Sequence, residues 1–390
     1  MITLIRNVSL FAPEALGQKD ILIAGDRIAA IEDRIDPPAG LPALTVIDGE
    51  GRNAVPGLVD GHVHIMGGGG EAGFATRTPE MRLESATANG VTSVVGVRGT
   101  DGISRSMEGF VAKARGLQAE GISCWVLTGS YQVPVMTITH RIESDIMMIH
   151  EIIGVGEIAI SDHRSSQPTF EELAKIGAAA RIGGMLSGKS GVVSVHIGDG
   201  ERGLDPLREV IRGTELPYRQ FIPTHANRNA MVFSQAMAYA RDGGYIDFTT
   251  STVPLFLEEG ETACGRALRI CLESGVPADR ITFSSDGQGS MPSFDRNGEM
   301  TGFHVGTCAS LFREVRAAVR DEGVPLETAL RVATVNPAKV FKLPRKGSLI
   351  PGNDADIVLL NPDDLTIHTV MARGRVMVEG GKVMVHGTFA

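Results

Sequence analysis

Cysteine is scarce in this 390-residue chain. Only Cys124, Cys264, Cys271 and Cys308 are present, and none forms a Cys-x-x-Cys pair. Reduced, mostly buried thiols in a cytoplasmic protein are the expectation. Basic runs and aromatic-basic interleaving are also missing, and the formal net charge is −9, so nucleic acid is not an expected partner. No apolar stretch is long enough to cross a bilayer, so no membrane association is expected. The opening residues Met1–Arg6 alternate like a strand and lack the parts of a signal peptide. No Gly-x-Gly-x-x-Gly follows the first barrel-type strand. The run Gly67–Gly70 leads into Glu71 rather than Lys and Ser/Thr, so it is not a phosphate loop.

What is present is an ordinary globular composition, 43% hydrophobic and 21% charged, with 48 glycines clustered at the ends of apolar runs. The length suits a barrel of roughly 250 residues with a smaller second domain. Residues 1–53 read as short strands; Asp20–Ala24 and Arg27–Ile31 flank a Gly25-Asp26 turn. Residues 344–390 read the same way, at Asp356–Leu360, Thr369–Ala372 and Arg375–Val378. The two ends are expected to form one small β-sandwich domain.

Between them, residues 54–343 alternate β-branched runs with helical segments. Eight candidate strands are Leu58–His64, Val91–Gly96, Ser123–Thr128, Glu157–Ser161, Val192–His196, Phe221–His225, Tyr245–Thr249 and Ile281–Asp286. Eight β-then-α units imply an α/β fold, a closed (β/α)8 TIM barrel. An open doubly wound sheet has the same local signature, since strand count alone does not prove closure.

The informative feature is where the polar residues fall. His62 and His64 end the first strand two residues apart, and alternation puts both on one side. His196, His225 and Asp286 end the fifth, sixth and eighth strands, the end at which barrel enzymes build their sites. Glu157 is read as opening the fourth strand. A single strand-end histidine is usually a packing residue; four with an aspartate form a metal-ligand set. Histidine with carboxylate favours Zn2+, Mn2+, Co2+ or Fe2+ over Ca2+ or Mg2+. A bound divalent ion would lower the pKa of its water and polarise a carbonyl, and Asp286 would serve as general base and then acid.

The run Pro56-Gly57-Leu58-Val59-Asp60-Gly61-His62-Val63-His64 resembles the opening motif of the amidohydrolase superfamily. Thr334–Ala338 and Gly347–Asp356 resemble its tail segments. Within it the chain looks most like the isoaspartyl dipeptidases, on Gly67–Gly73, Leu127–Tyr131, Ser161–Ser165, Pro223–Asn229 and Ser284–Gly287. The resemblance covers nearly the whole chain. It implies a cytoplasmic metal-dependent hydrolase of β-aspartyl dipeptides, with two divalent ions, expected to be zinc, in a symmetric homo-oligomer. It further implies that His62, His64 and Asp286 bind the first ion and His196 and His225 the second. Glu71 would hold the substrate's amino group. Thr100 and Ser290 would bind the isoaspartyl carboxylate, Arg164 and Arg228 the carboxylate of the leaving residue. Tyr131 would stabilise the oxyanion. The chemistry agrees: one amine and two carboxylates call for an acid, an arginine fork and a neutral donor.

The sequence departs from that family at one position. Seven residues before Arg164, where the family pattern has a carboxylated lysine bridging the metals, stands Glu157, and no lysine lies between Lys113 and Lys175. Glu157 is expected to be the bridge itself. Its carboxyl carbon is three bonds nearer its Cα than a lysine carbamate would be, a shortfall of roughly 3–4 Å. Gly154 and Gly156 beside it would permit a local bulge. Two alternatives stand beside the dipeptidase reading: an amidohydrolase for cyclic amides or N-acyl amino acids, and a catalytically silent scaffold on the same fold.

Overall fold

A computed structural model describes residues 2–36, 43–295, 297 and 299–389. Five strands come first: β1 (Ile2–Phe11), β2 (Ala15–Ala24), β3 (Arg27–Glu32), β4 (Leu44–Asp48) and β5 (Asn53–Pro56). The next eight are β6 (Leu58–Val63), β7 (Val91–Gly96), β8 (Ser123–Thr128), β9 (Ile152–Ile160), β10 (Val192–Ile197), β11 (Phe221–Thr224), β12 (Ile246–Thr249) and β13 (Ile281–Ser284). A hairpin of β14 (Ser290–Phe294) and β15 (Met300–Val305) follows, and the chain ends with β16 (Ile357–Leu360), β17 (Ile367–Ala372), β18 (Arg375–Glu379) and β19 (Lys382–Val383).

Every residue of β6 to β13 is buried. Their Val- and Ile-rich runs suit parallel strands covered on both faces, where each fully buried aliphatic side chain contributes about 1.5–3 kcal/mol. Strands β6 to β11 pair in sequence order, and β12 pairs β13 in parallel. Two junctions close the ring. Ala226 N–H donates to Asp247 O at 3.0 Å, and His64 N–H donates to Gly287 O at 2.8 Å. The fold is therefore a closed (β/α)8 barrel. Helices return the chain over its outside, and some begin on a side-chain cap. Ser106 accepts from Gly109 N–H, Thr169 and Glu172 form a capping box, and Asn229 accepts from Val232 N–H. Phe341 packs on Gly61, where a Cβ would lie 2.8 Å from its ring.

The two ends of the chain meet in one continuous nine-stranded sheet, ordered β19-β18-β17-β16-β5-β1-β2-β3 with β4 also on β1. Its apolar core draws on both termini, with Leu10, Ile21 and Ile23 packed among Ile357, Leu359 and Met371. The tail motif explains part of the join. Buried Lys346 places Nζ 2.8 Å from Asp354 Oδ2 and 2.6 Å from Asp356 Oδ2. Asp356 O in turn accepts from Gly57 N–H, one residue before β6.

One element departs from the sequence reading. Glu157 does not open the fourth barrel strand; β9 begins five residues earlier, at Ile152, and Glu157 lies inside it. Gly154 and Gly156, expected to permit a local bulge, both lie inside the strand. Gly156 has φ +152°, and a Cβ there would meet Ser194 O at 3.0 Å. Val155 pairs with Val193 and Ile158 with Val195, so Gly156 and Glu157 together face the single Ser194. This is a β-bulge, which re-aims a side chain.

Candidate metal centre and substrate pocket

The four histidines meet around Glu157. His62 comes from β6, His64 from the residue just past it, His196 from β10, and His225 from the residue after β11. Glu157 Oε2 lies 3.3 Å from His62 Nε2, 3.4 Å from His196 Nδ1 and 3.7 Å from His225 Nε2. Its Oε1 lies 3.6 Å from His64 Nε2. Asp286, two residues past β13, places Oδ1 3.0 Å from His64 Nε2 and 3.8 Å from His62 Nε2. His225 and Asp286 hold left-handed backbone conformations, φ +60° and +53°. For residues other than glycine these are uncommon and gather at functional sites.

The residues fit divalent ions. His62 Nδ1 and Nε2, His64 Nδ1, both Glu157 oxygens and Asp286 Oδ1 are buried without a hydrogen-bond partner. Buried polar atoms are rarely left so, and a cation would satisfy several at once. Ligand atoms of His62, His64 and Asp286 lie within 4.8 Å of one another, as do those of His62, Glu157 and His225. Glu157 touches members of both groups. His196 stands slightly apart, because its Nδ1 also lies 2.8 Å from Tyr131 Oη.

Charge balance tells the same story. Burial disfavours the Glu157 carboxylate, yet the His62 charge and the facing imidazoles of His196 and His225 hold it well below the usual range. Burial pulls His62 down, but Glu157 more than compensates and raises it to about 9. Burial and His196 press His225 down to about 3. Burial opposes the Asp286 charge too, but His64 brings it to about 2, so it is a carboxylate at neutral pH.

Above this cluster opens a cavity of about 380 Å³, lined by Glu71, Thr100, Tyr131, Arg164, Arg228, Asp286 and Ser290 among others. All six residues expected to touch substrate besides Asp286 thus border one space. Their present contacts differ in part from the expected roles. Thr100 Oγ1 donates to Glu71 Oε1 at 2.7 Å instead of lying free for a carboxylate. Arg164 Nη1 faces Glu71 Oε1 at 3.6 Å. Arg228 Nη1 faces Asp199 Oδ2 at 3.6 Å. Ser290 opens β14, and the hairpin that follows leans over the cavity through Met291 and Pro292. Burial and the Glu157 charge push the Tyr131 phenol well above its usual range, so it remains a donor.

Sequence reasoning gave no role to Asp162, although the segment around it was singled out. Its carboxylate accepts from Arg164 Nε at 2.9 Å and Nη2 at 2.7 Å, and its Oδ2 lies 2.9 Å from His196 Nε2. One buried acid thus orients both an expected metal ligand and an expected substrate clamp. Burial works against its charge, but those hydrogen bonds hold it far below the carboxylate range. Its place two residues past a strand end was the available signal. Thr249 was also missed; its Oγ1 lies 2.6 Å from His225 Nδ1 and leaves Nε2 toward Glu157.

Comparison with known proteins bears on the family of the chain. The family model described as "Amidohydrolase family" matches residues 263–378. A β-aspartyl dipeptidase from Fervidobacterium islandicum AW-1, solved in complex with a β-Asp-Leu dipeptide, is 42% identical, with 98% of each chain covered and a TM-score of 0.89. Among curated proteins, an adenine deaminase of Mesorhizobium japonicum is 26% identical over 97% of this chain, but the chain spans only 56% of that relative's length. Dihydropyrimidinase from Brevibacillus agri, 18% identical with a TM-score of 0.68, shares the fold. The chain belongs to the amidohydrolase superfamily and is a hydrolase, related along its whole length to β-aspartyl dipeptidase.

Proposed function

We propose that this protein hydrolyses β-aspartyl dipeptides with two divalent ions, zinc by donor type, bridged by Glu157. The observation that carries the reading is that Glu71, Arg164 and Arg228 border a single cavity above the histidine cluster, with Asp199, Glu259 and Glu261 also on its wall. An acid and two arginines within one cavity supply partners for the amine and the two carboxylates of a zwitterionic dipeptide. The 42% identity to a β-aspartyl dipeptidase supports it.

His62, His64 and Asp286 would hold one ion, His196 and His225 the other, with Glu157 between them. Ions held there would polarise the scissile carbonyl and lower the pKa of water. Asp286, ionised at neutral pH, would take the proton of the attacking water and pass it to the departing amine. Glu71 would receive the substrate's amino group. Arg164, with one edge fixed on Asp162, would present Nη1 to a carboxylate, with Arg228 and Ser290 assisting. Tyr131 now shares His196 Nδ1; once that nitrogen serves as a ligand, the hydroxyl is free to donate to the developing oxyanion.

The curated relatives support a second reading, loss of an exocyclic amino group as in adenine deaminase. Release of leucine from β-Asp-Leu and α-Asp-Leu by metal-loaded protein separates them. Cleavage of the β-linked peptide alone is expected. No cleavage of either, with ions bound, would transfer the reading to adenine, cyclic amides and N-acyl amino acids. Scarcely any bound ion would favour a silent scaffold.

A homo-oligomer is proposed as well. Met147 and Met148, at the end of helix Ile142–Met148, and Ile182, Met185 and Leu186, on helix Phe170–Ser187, are all exposed, and the two helices pack together. Such a cluster of methionine and aliphatic side chains suits burial against a second copy. The four buried, unpaired cysteines support a reducing, cytoplasmic setting.

A further inference from the structure

The loops that follow β6, β7 and β8 carry Glu71, Thr100 and Tyr131 respectively. Two buried guanidinium groups join them. Arg98, 1% exposed, donates from Nε to Gly129 O at 2.8 Å, in the loop of Tyr131. Its Nη1 donates to Gly102 O at 3.3 Å and Arg105 O at 2.7 Å, in the loop of Thr100. Arg105, 2% exposed, then reaches into the loop of Glu71. It donates to Met66 O at 3.1 Å, Gly68 O at 2.6 Å and Gly69 O at 3.4 Å. A fourth contact, to Asp101 Oδ2 at 3.2 Å, ties it back to its own loop.

The glycine loop is shaped for this. Gly67 and Gly69 have φ of +77° and +68°, and a Cβ on Gly67 would lie 2.2 Å from Thr78 O. The other side of the loop is held by Gly68 N–H donating to Gln288 O at 3.0 Å. The loop is thus clamped between Arg105 and the segment that follows Asp286. Burying a guanidinium is costly, and an apolar side chain would fill the same space more cheaply. What an apolar residue cannot do is fix the direction of several carbonyls at once. A planar fork of five donors can.

We propose that Arg98 and Arg105 are positioning residues that hold Glu71, Thr100 and Tyr131 in one register, so that capture of the substrate's amine depends on them although neither touches substrate. This rests on the reading of Glu71 as the amine-binding acid. Arg105 acts on the amine end of the site, and Arg98 on the alignment of Tyr131 with that end.

The test uses the full-length, metal-loaded protein and the variants R105M, R105K, R98M and R98K, with ion content measured for each. R105M is expected to raise KM for β-Asp-Leu by about 10-fold or more with kcat changed less than about threefold, at unchanged ion content. R105K should fall between, because an ammonium serves fewer carbonyls. R98M should lower kcat as well. Hydrogen–deuterium exchange of the 67–71 and 99–105 amides gives a readout independent of substrate, and faster exchange in R105M is expected. Unchanged KM and unchanged exchange would overturn the proposal, as would loss of bound ions with an equal fall in kcat and kcat/KM. If the methionine variants fail to fold, the lysine variants decide by the same two readouts. If wild-type protein does not cleave β-Asp-Leu, the dipeptidase reading fails by itself, and exchange alone judges the tether.

Discussion

The hydroxyl of Tyr131 lies 2.8 Å from Nδ1 of His196, the nitrogen that also faces Glu157. A group expected to act on substrate and a group expected to bind metal therefore share one contact. Tyr131→Phe is expected to lower kcat by about 10²–10³-fold, the cost of one oxyanion donor, with ion content unchanged. Steady-state kinetics beside metal analysis checks this. A fall in ion content would instead assign the tyrosine to the metal shell.

Glu157 supplies a carboxylate from the chain itself, so no carbamate has to form. Activity regained after chelation and addition of Zn2+ should be the same with and without bicarbonate. A requirement for bicarbonate would reject Glu157 as the bridge. Glu157→Gln, which keeps shape and removes charge, should reduce bound ions from about two to about one per chain or fewer.

Ion binding should release protons. Burial lowers the His62 pKa, but Glu157 raises it further, to about 9, so the imidazole is protonated at neutral pH and must deprotonate to become a ligand. Calorimetry of Zn2+ binding in buffers of different ionisation enthalpy should show proton release near pH 7 that fades as pH rises through about 9. Release independent of pH over that interval would contradict the His62 assignment.

Asp162 faces both His196 Nε2 and Arg164. Asp162→Asn should weaken metal affinity by about 10–100-fold through loss of the partner that orients His196. It should also raise KM through a loosened Arg164. A change in only one of the two would show that the acid serves a single partner.

In the terminal sheet, Lys346 lies between Asp354 and Asp356 with its side chain 2% exposed. Lys346→Met would remove the partner that two buried carboxylates share, leaving Asp354 with Arg345 and Asp356 with the Arg373 N–H alone, and should cost about 3 kcal/mol in denaturant unfolding. Burial raises the Asp354 pKa, but Lys346 lowers it below its ordinary value of 3.8. The stabilisation is therefore complete above that value and lost as pH falls through the lower folded one. Unfolding between about pH 2 and 5 should show this slope in wild type and a shallower one in the variant, where Arg345 still faces Asp354.

Much of this molecule is set by local order in the chain. The period of the barrel strands, the histidines at their ends and the strand-rich termini are local patterns, and residues two apart on a strand share a face whatever surrounds them. The candidate ligand set was readable for the same reason: His62, His64, His196, His225 and Asp286 each stand out by residue type and strand-end position. The resemblance then gave Glu71, Tyr131, Arg164 and Arg228 their expected roles. What the sequence alone could not decide depends on partners far along the chain. In the sequence Glu157 reads as the start of a strand, and Gly154 and Gly156 beside it as permitting a bulge. Only pairing with Val193 and Val195 of β10 makes that segment a bulge and places Glu157 among four imidazoles. Asp162 and Thr249 gain their orienting roles from His196 and His225, 34 and 24 residues away. Closure of the ring, where His64 N–H meets Gly287 O, rests on a hydrogen bond between opposite ends of the barrel segment. Strand pattern is local, whereas ring closure, register and the buried charge partners are long-range contacts, and only the tertiary structure decides those.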